Sequence, residues 1–170
     1  LEFVGVKYPG VDFHQADLTE VRAIGASFTG GNFVVAKLTN MEVGSLFEKQ
    51  VLGVAQGGMP RVGSADFTGA NFSHAQMSGA RLQGAILKNA VFTGADLSRA
   101  NLIGSNLDGA DLRHADLAGI RSGLIVGRPL LPRDWSVESG YLVGPGADLS
   151  VPNAVKYLEA DRSAAEYGKF

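Results

Sequence analysis

The chain has 170 residues and a formal net charge of −2 at pH 7, with 45% hydrophobic and 19% charged residues. This length fits one domain, and so balanced a charge argues against nucleic acid or an anionic membrane surface as the partner. The absence of cysteine excludes disulfides and thiol chemistry, and no apolar run reaches the roughly 20 residues of a membrane span.

The first 45 residues carry a weak repeat of five residues. The copies read LEFVG, VKYPG, VDFHQ, ADLTE, VRAIG, ASFTG, GNFVV, AKLTN and MEVGS. A period of five fits neither the 3.6-residue period of a helix nor the two-residue period of a strand. A fixed short period is typical of a solenoid, whose units bury their apolar faces only against neighbouring units.

The repeat loses phase between Val43 and Phe67, and the interruption covers about 46–61. Ser45 and Glu48 match a capping box, which predicts a short helix over 46–52, followed by a loop over 53–61.

Two interpretations of this interruption are open. It is either a one-coil defect that bends or plugs the solenoid, or a projecting recognition loop on a rigid scaffold. The plug is favoured by the apolar residues of the segment, which are Leu46, Phe47, Val51 and Leu52. If the segment is a recognition loop, Phe47 and Arg61 are candidate interface residues.

From Ala65 the period becomes strict and continues to Gly119. The copies read ADFTG, ANFSH, AQMSG, ARLQG, AILKN, AVFTG, ADLSR, ANLIG, SNLDG, ADLRH and ADLAG. Their central residues form the predicted core stack: Phe67, Phe72, Met77, Leu82, Leu87, Phe92, Leu97, Leu102, Leu107, Leu112 and Leu117. Two residues before each of them stands an alanine or, once, a serine.

These residues resemble the pentapeptide-repeat family, whose pattern is a small residue, Asp or Asn, Leu or Phe, any residue, and Gly. The resemblance implies an all-β solenoid, a right-handed quadrilateral β-helix with one pentapeptide per side and four per coil. Because four pentapeptides complete a coil, Phe72 stacks under Phe92 and Leu112. Glycine at the fifth position suits tight corners, and Asp or Asn before the central residue can hydrogen-bond the corner backbone.

The period is lost after Gly119, which predicts a β-helix over 1–119 and an irregular C-terminal cap over 120–170. Residues 131–135 and 140–150 resemble a segment that interrupts the repeats of some bacterial members of the family, and 147–151 look like one resumed copy. Large side chains suited to cover the end of the coil are Trp135, Tyr141 and Leu142. A short helix is predicted over 153–167.

The polar residues form no catalytic or metal-binding constellation. His74 and His114 share a corner column two coils, or about 10 Å, apart, which is too far to bind one metal ion, and His14 lies in the other run. Asp111 and Asp116 fall on neighbouring sides of one coil and fit the repeat's own preference for Asp. We therefore predict no catalysis, no cofactor and no metal.

Candidate interface residues are Ile86, Val91 and Ile103, which take outward positions where polar residues are usual. The first functional hypothesis is a non-enzymatic structural scaffold or protein–protein interaction module, as part of a larger assembly. The alternative is implied by the family resemblance: a DNA-mimicking protein that binds a type II topoisomerase (gyrase) and protects or inhibits it. Residues 1–119 carry 11 Asp and Glu against 9 Lys and Arg, a weak negative balance for such a mimic.

The first coil begins directly in repeat phase with an unpaired backbone edge. We expect upstream residues, a protein partner or self-association through this uncapped N-terminal end to cover it. No secretory signal is visible and a cytoplasmic location is favoured, but the chain starts at Leu1 without Met, which leaves the compartment open.

Overall fold

The computed structural model of the chain describes residues 1–43 and 64–150. Within these ranges the backbone winds into stacked coils joined by parallel β-bridges. Most bridges join positions four pentapeptides apart, such as Asp66 to Ile86 and Ile86 to Asn106. The bridges recur at every pentapeptide along a coil and stack in four columns, so each coil has four sides. The predicted four-sided β solenoid is therefore confirmed.

The bridged residues point outward and define four sides, numbered in chain order. Side 1 carries Glu2, Arg22, Glu42, Arg81, Asn101, Arg121 and Asp148. Side 2 carries Lys7, Ser27, Asp66, Ile86, Asn106 and Val126. Side 3 carries Asp12, Asn32, Asn71, Val91, Asp111 and Leu130, and side 4 carries Asp17, Lys37, Gln76, Asp96 and Asp116. These outward residues are termed the ladder positions.

The residues before and after each ladder position point into the interior. All eleven residues of the predicted core stack are buried, and none is more than 3% exposed. Phe72 lies between Phe33 and Phe92 with ring centroids 4.9 and 5.1 Å apart and the rings nearly parallel. The alternation of a large residue with alanine fits the narrow interior, because two large side chains at one level would overfill it.

The corners explain the Asp or Asn of the repeat. The side-chain oxygen of the ladder residue accepts the backbone N–H two residues later, as Asp66 does from Thr68 at 2.9 Å. The last corner residue has a positive φ, whether it is Gly94 at +67° or His74 at +58°. Glycine is favoured at position 94 because a Cβ there would lie 2.5 Å from the His74 ring of the preceding coil, which would have to move.

The ladder crosses the interruption without changing the order of its sides. In a regular coil, side 2 would resume five residues after Glu42. Here it resumes at Asp66, which bridges to Ser27 of the preceding coil. The interior is continuous here, because Phe28 stacks on Phe67 at 5.5 Å. The sequence therefore departs from the ladder at the corner between sides 1 and 2 and rejoins it on side 2. The predicted helix over 46–52 and loop over 53–61 lie outside the described residues.

The coil continues past Gly119, the boundary that the loss of the period predicts. Ladder bridges extend through Arg121, Val126 and Leu130. The inward residues exchange their sizes in this coil, since Ile120 takes the place usually held by alanine and Ser122 the place usually held by leucine. Both are almost fully buried. The exchange keeps the interior filled but removes the large central residue from which the period is recognised.

A hairpin then interrupts side 4 and covers the interior. Its strands are β1 (Ser136–Glu138) and β2 (Tyr141–Val143), which pair antiparallel. Leu142 is fully buried, and its backbone N–H donates to the Ser122 hydroxyl at 2.9 Å. The Trp135 ring packs on the backbone of Gly144, where any Cβ would overlap the indole.

After the hairpin the ladder resumes where the sequence shows one more copy of the repeat. Asp148 bridges to Arg121 on side 1, and its carboxylate accepts the N–H of Ser150, as at the other corners. Residues 151–170, with the helix predicted over 153–167, lie outside the described part. In residues 1–43 and 64–150 no helix is long and apolar enough to cross a membrane.

Candidate interaction surfaces

Aliphatic side chains at ladder positions are confined to one part of the described structure. Four ladder positions in these ranges are aliphatic, and all four lie on sides 2 and 3 beyond the interruption: Ile86, Val91, Val126 and Leu130. Sides 1 and 4 carry only polar residues at their described ladder positions, as do sides 2 and 3 before the interruption. These four residues are termed the aliphatic surface.

The aliphatic surface is open to solvent. Ile86 is 36% exposed, Val126 51% and Leu130 47%, while Val91 is half-buried. The residues stand in two columns that meet at the corner between sides 2 and 3. Asn106 separates the two aliphatic residues of side 2, and Asp111 separates those of side 3.

Charged side chains follow the corner between these two columns. Lys88 and Asp108 form an ion pair at 3.8 Å, and the backbone N–H of Arg128 in the next coil donates to the Asp108 carboxylate at 3.4 Å. The Lys88 and Asp108 side chains are about half exposed, so their ion pair stabilises the fold little. A partner at this corner would therefore meet charges in the order positive, negative, positive, with aliphatic side chains to either side.

The residues predicted as an interface are only partly brought together. Ile86 and Val91 occupy successive sides of one coil, whereas Ile103 is half-buried at the corner that follows side 1. Phe47 and Arg61 lie outside the described residues. Sequence reasoning missed Val126 because the period is no longer recognisable after Gly119. It missed Leu130 because the step from Val126 to Leu130 is one position shorter than a pentapeptide.

Side 1 carries alternating charges rather than charges of one sign. Arg22 contacts Glu2 at 2.7 Å and Glu42 at 3.2 Å, and Arg121 contacts Asp148 at 3.4 Å. Each of these two arginines lies next to a carboxylate of a neighbouring coil. The carboxylates of this side are therefore neutralised locally and form no continuous negative strip in the described ranges.

The titratable groups serve corners and ion pairs. Arg113 donates to the Asp111 carboxylate at 2.8 Å and thereby lowers the pKa of Asp111. Hydrogen bonds from Thr19 likewise lower the pKa of Asp17. His74 and His114 occupy the predicted corner column with Gly94 between them, since Gly94 donates its N–H to the His114 carbonyl.

The described residues include a small apolar cavity but no cluster suited to a metal ion. In 1–43 and 64–150 no group of three or more His, Asp or Glu side chains is placed to hold a metal ion. A cavity of about 10 Å³ lies inside the first coils among Phe3, Ala23 and Phe28, with an apolar lining. A cavity of this volume could hold one water molecule at most, and its apolar lining offers that water no hydrogen-bond partner.

Comparison with known proteins places the repeat in a family. A family model described as pentapeptide repeats matches in eight copies, over residues 3–40, 63–84 and 85–121. A search of curated proteins found no match. Among solved structures, the pentapeptide repeat protein Rfr23 from the cyanobacterium Cyanothece 51142 is 24% identical over 75% of this chain and 88% of its own, with a TM-score of 0.51.

Two other solved structures are less similar in shape. A trypsin-treated form of QnrB1, a plasmid-mediated fluoroquinolone resistance protein, is 17% identical over 92% of this chain and 90% of its own, with a TM-score of 0.48. HetL, a pentapeptide repeat protein from the cyanobacterium Nostoc sp. strain PCC 7120, is 20% identical over 84% of this chain and 64% of its own, with a TM-score of 0.27. The likeness to Rfr23 supports the fold alone.

Proposed function

This chain belongs to the pentapeptide-repeat family, and we propose that it is a non-enzymatic scaffold that binds a protein partner through the aliphatic surface. One observation carries the proposal: aliphatic residues replace polar ones at ladder positions of two adjacent columns. The coil is held together by its interior, to which these outward side chains add little. Their exposed area gains the free energy of burial only when another surface covers it.

The charges along the corner indicate what kind of partner fits. Lys88, Asp108 and Arg128 call for a surface with acidic, basic and acidic groups in that order, beside apolar side chains. A second copy related by a two-fold axis would bring Lys88 against Arg128 and Asp108 against its own equivalent. Because those contacts join like charges, we infer that the partner is a different protein.

The alternative is a DNA mimic that binds a type II topoisomerase. A mimic of the DNA backbone needs a continuous run of unpaired negative charge. Side 1 instead alternates, with Arg22 held between Glu2 and Glu42. The charge pattern favours the scaffold, and we expect no protection or inhibition in a gyrase supercoiling assay.

Substitution of the aliphatic surface tests the proposal. Ile86→Asp with Val126→Asp should abolish capture of the partner from the source cell and weaken binding of the purified partner at least tenfold. The matched control is Gln15→Asp with Gln76→Asp, which adds the same charge at exposed positions away from the surface. We expect the control to keep the partner. Equal binding by both variants would overturn the proposal.

We infer a right-handed coil and the C-terminal helix over 153–167, the latter from the sequence. We also infer that other protein backbone covers the first coil, because Lys7, Asp12 and Asp17 donate no backbone hydrogen bond within the described residues. The equivalent residues one coil later all donate a backbone hydrogen bond to the preceding coil, at 2.8 to 2.9 Å.

The first-coil edge has its own test. A second copy of the chain could supply the missing backbone by pairing with this edge. Light scattering of the chain should then report a dimer whose population falls when Asp12 is replaced by proline, which removes an edge N–H without touching the aliphatic surface. A monomer at high concentration would contradict self-association.

A further inference from the structure

A second surface lies on side 1 of the same coils as the aliphatic surface. Arg81, Asn101 and Arg121 follow one another in successive coils, joined by ladder bridges. Arg99 stands at the corner just before Asn101. Its side chain lies over the next coil, because a Cβ built on Gly119 would be 3.0 Å from its Cγ atom. The three arginines around Asn101 are termed the arginine surface.

Two of these arginines lack a carboxylate partner in the described structure. By contrast, Arg22 is paired with two glutamates and Arg113 is paired with Asp111. In residues 1–43 and 64–150, Arg81 and Arg99 form no ion pair, and both are exposed. The surface therefore presents two uncompensated guanidinium groups next to Arg121, whose charge is shared with Asp148.

The spacing of these groups suits carboxylate ligands. Neighbouring coils lie about 4.8 Å apart, so Arg81 and Arg121 stand about 10 Å apart with Arg99 between their levels. Guanidinium groups bind carboxylates through two parallel hydrogen bonds. The Asn101 side-chain oxygen accepts the N–H of Ile103 at 3.1 Å, which leaves its amide NH₂ group to donate outward.

We propose that the arginine surface binds a short acidic segment of a protein. The positive stretch is limited to three coils, because Glu42 precedes Arg81 on side 1 and Asp148 follows Arg121. A long polyanion such as nucleic acid would meet negative charge at both ends. Half-buried Ile103 at the edge of side 1 adds an apolar contact that a protein segment can use. This surface is separate from the aliphatic surface and does not depend on it.

Fluorescence anisotropy with a labelled octaglutamate peptide at low ionic strength tests the proposal. Arg81→Gln with Arg99→Gln should weaken binding at least tenfold. The matched control, Arg113→Gln with Arg133→Gln, removes the same charge elsewhere and should change binding less than twofold. Arg81→Lys with Arg99→Lys keeps the charge but not the forked donors, and we expect about threefold weaker binding. The melting temperature of each variant checks that it is folded.

Several outcomes would overturn the proposal. Equal loss of binding in the glutamine variant and its control would show that net charge alone attracts the peptide. An octaglutamine peptide that binds as well as octaglutamate would exclude a carboxylate ligand, and tighter binding of inorganic polyphosphate would exclude an acidic protein segment. The Ile86→Asp and Val126→Asp variant should keep octaglutamate binding, which separates this proposal from that of the aliphatic surface.

Discussion

Truncation of one interior phenylalanine would measure how rigid the coil is. Phe92 is fully buried and stacks on Phe72 at 5.1 Å with an interplanar angle of 9°. Phe92→Ala should cost about 3–5 kcal/mol of unfolding free energy, as large-to-small changes in packed cores do. We expect the upper part of this range, because backbone hydrogen bonds of 2.8 and 2.9 Å hold the neighbouring coils apart around Ala70, Val91 and Asp111 and prevent collapse into the cavity.

Phe13→Ala is the matched comparison, because Phe13 occupies the same column in the first coil. It is half-buried and has a described coil on one side only, so its truncation should cost about half as much as that of Phe92. Urea unfolding followed by far-ultraviolet circular dichroism gives both free energies. A cost below about 2 kcal/mol for Phe92→Ala, or equal costs at the two positions, would refute a rigid, continuously packed interior.

Three further changes test single features. Ser105 is fully buried and its hydroxyl has no hydrogen-bond partner within the described ranges, so Ser105→Ala should stabilise the fold by about 1 kcal/mol, and a lower melting temperature would contradict this. Gly94→Ala should cost about 1–2 kcal/mol more than Gly69→Ala in urea unfolding. Both glycines have a positive φ, but a Cβ at position 94 would overlap the His74 ring, whereas one at position 69 meets nothing closer than 4.0 Å; equal costs would exclude the steric contact. Arg113→Gln should raise the pKa of Asp111 in an NMR titration. Because its folded pKa is lowered, Asp111 adds stability above the ordinary carboxyl pKa and loses it as the pH falls through the folded value. In the variant this contribution should be smaller and its loss should be complete at a higher pH, and an unchanged titration would exclude the ion pair as its cause.

The sequence predicted the interior because the period and the packing depend on the same residues. A large apolar residue every fifth position both defines the repeat and fills the coil, as at Phe72 and Phe92. The sequence pattern ended the coil too early, at Gly119. The coil can continue without the pattern because the interior needs only a filled volume at each level. Ile120 with Ser122 supplies that volume as well as alanine with leucine does, although it breaks the pattern.

The candidate surfaces depend on register, which the sequence leaves hidden. Arg81 bridges to Glu42 on side 1 across the whole interruption, and Leu130 bridges to Asp111 although it comes one position earlier than the regular step predicts. One residue more or less in a step moves every later side chain to another place on the surface. Sequence reasoning therefore found Ile86 and Val91, which share one regular coil. It did not find Val126, which follows the loss of the period, or Leu130, which follows a shortened step.

The corner between sides 1 and 2 offers a site for protein engineering. The ladder is followed to Val43 and has resumed by Asp66. The order of the sides is the same before and after the interruption, and Phe28 stacks on Phe67 across it. Foreign sequence could therefore be spliced in here without disturbing the rise of the coil. Loop-closure entropy grows slowly with length, so doubling the spliced segment would cost only about 0.6 kcal/mol. The corner could thus display a peptide epitope beside an undisturbed coil.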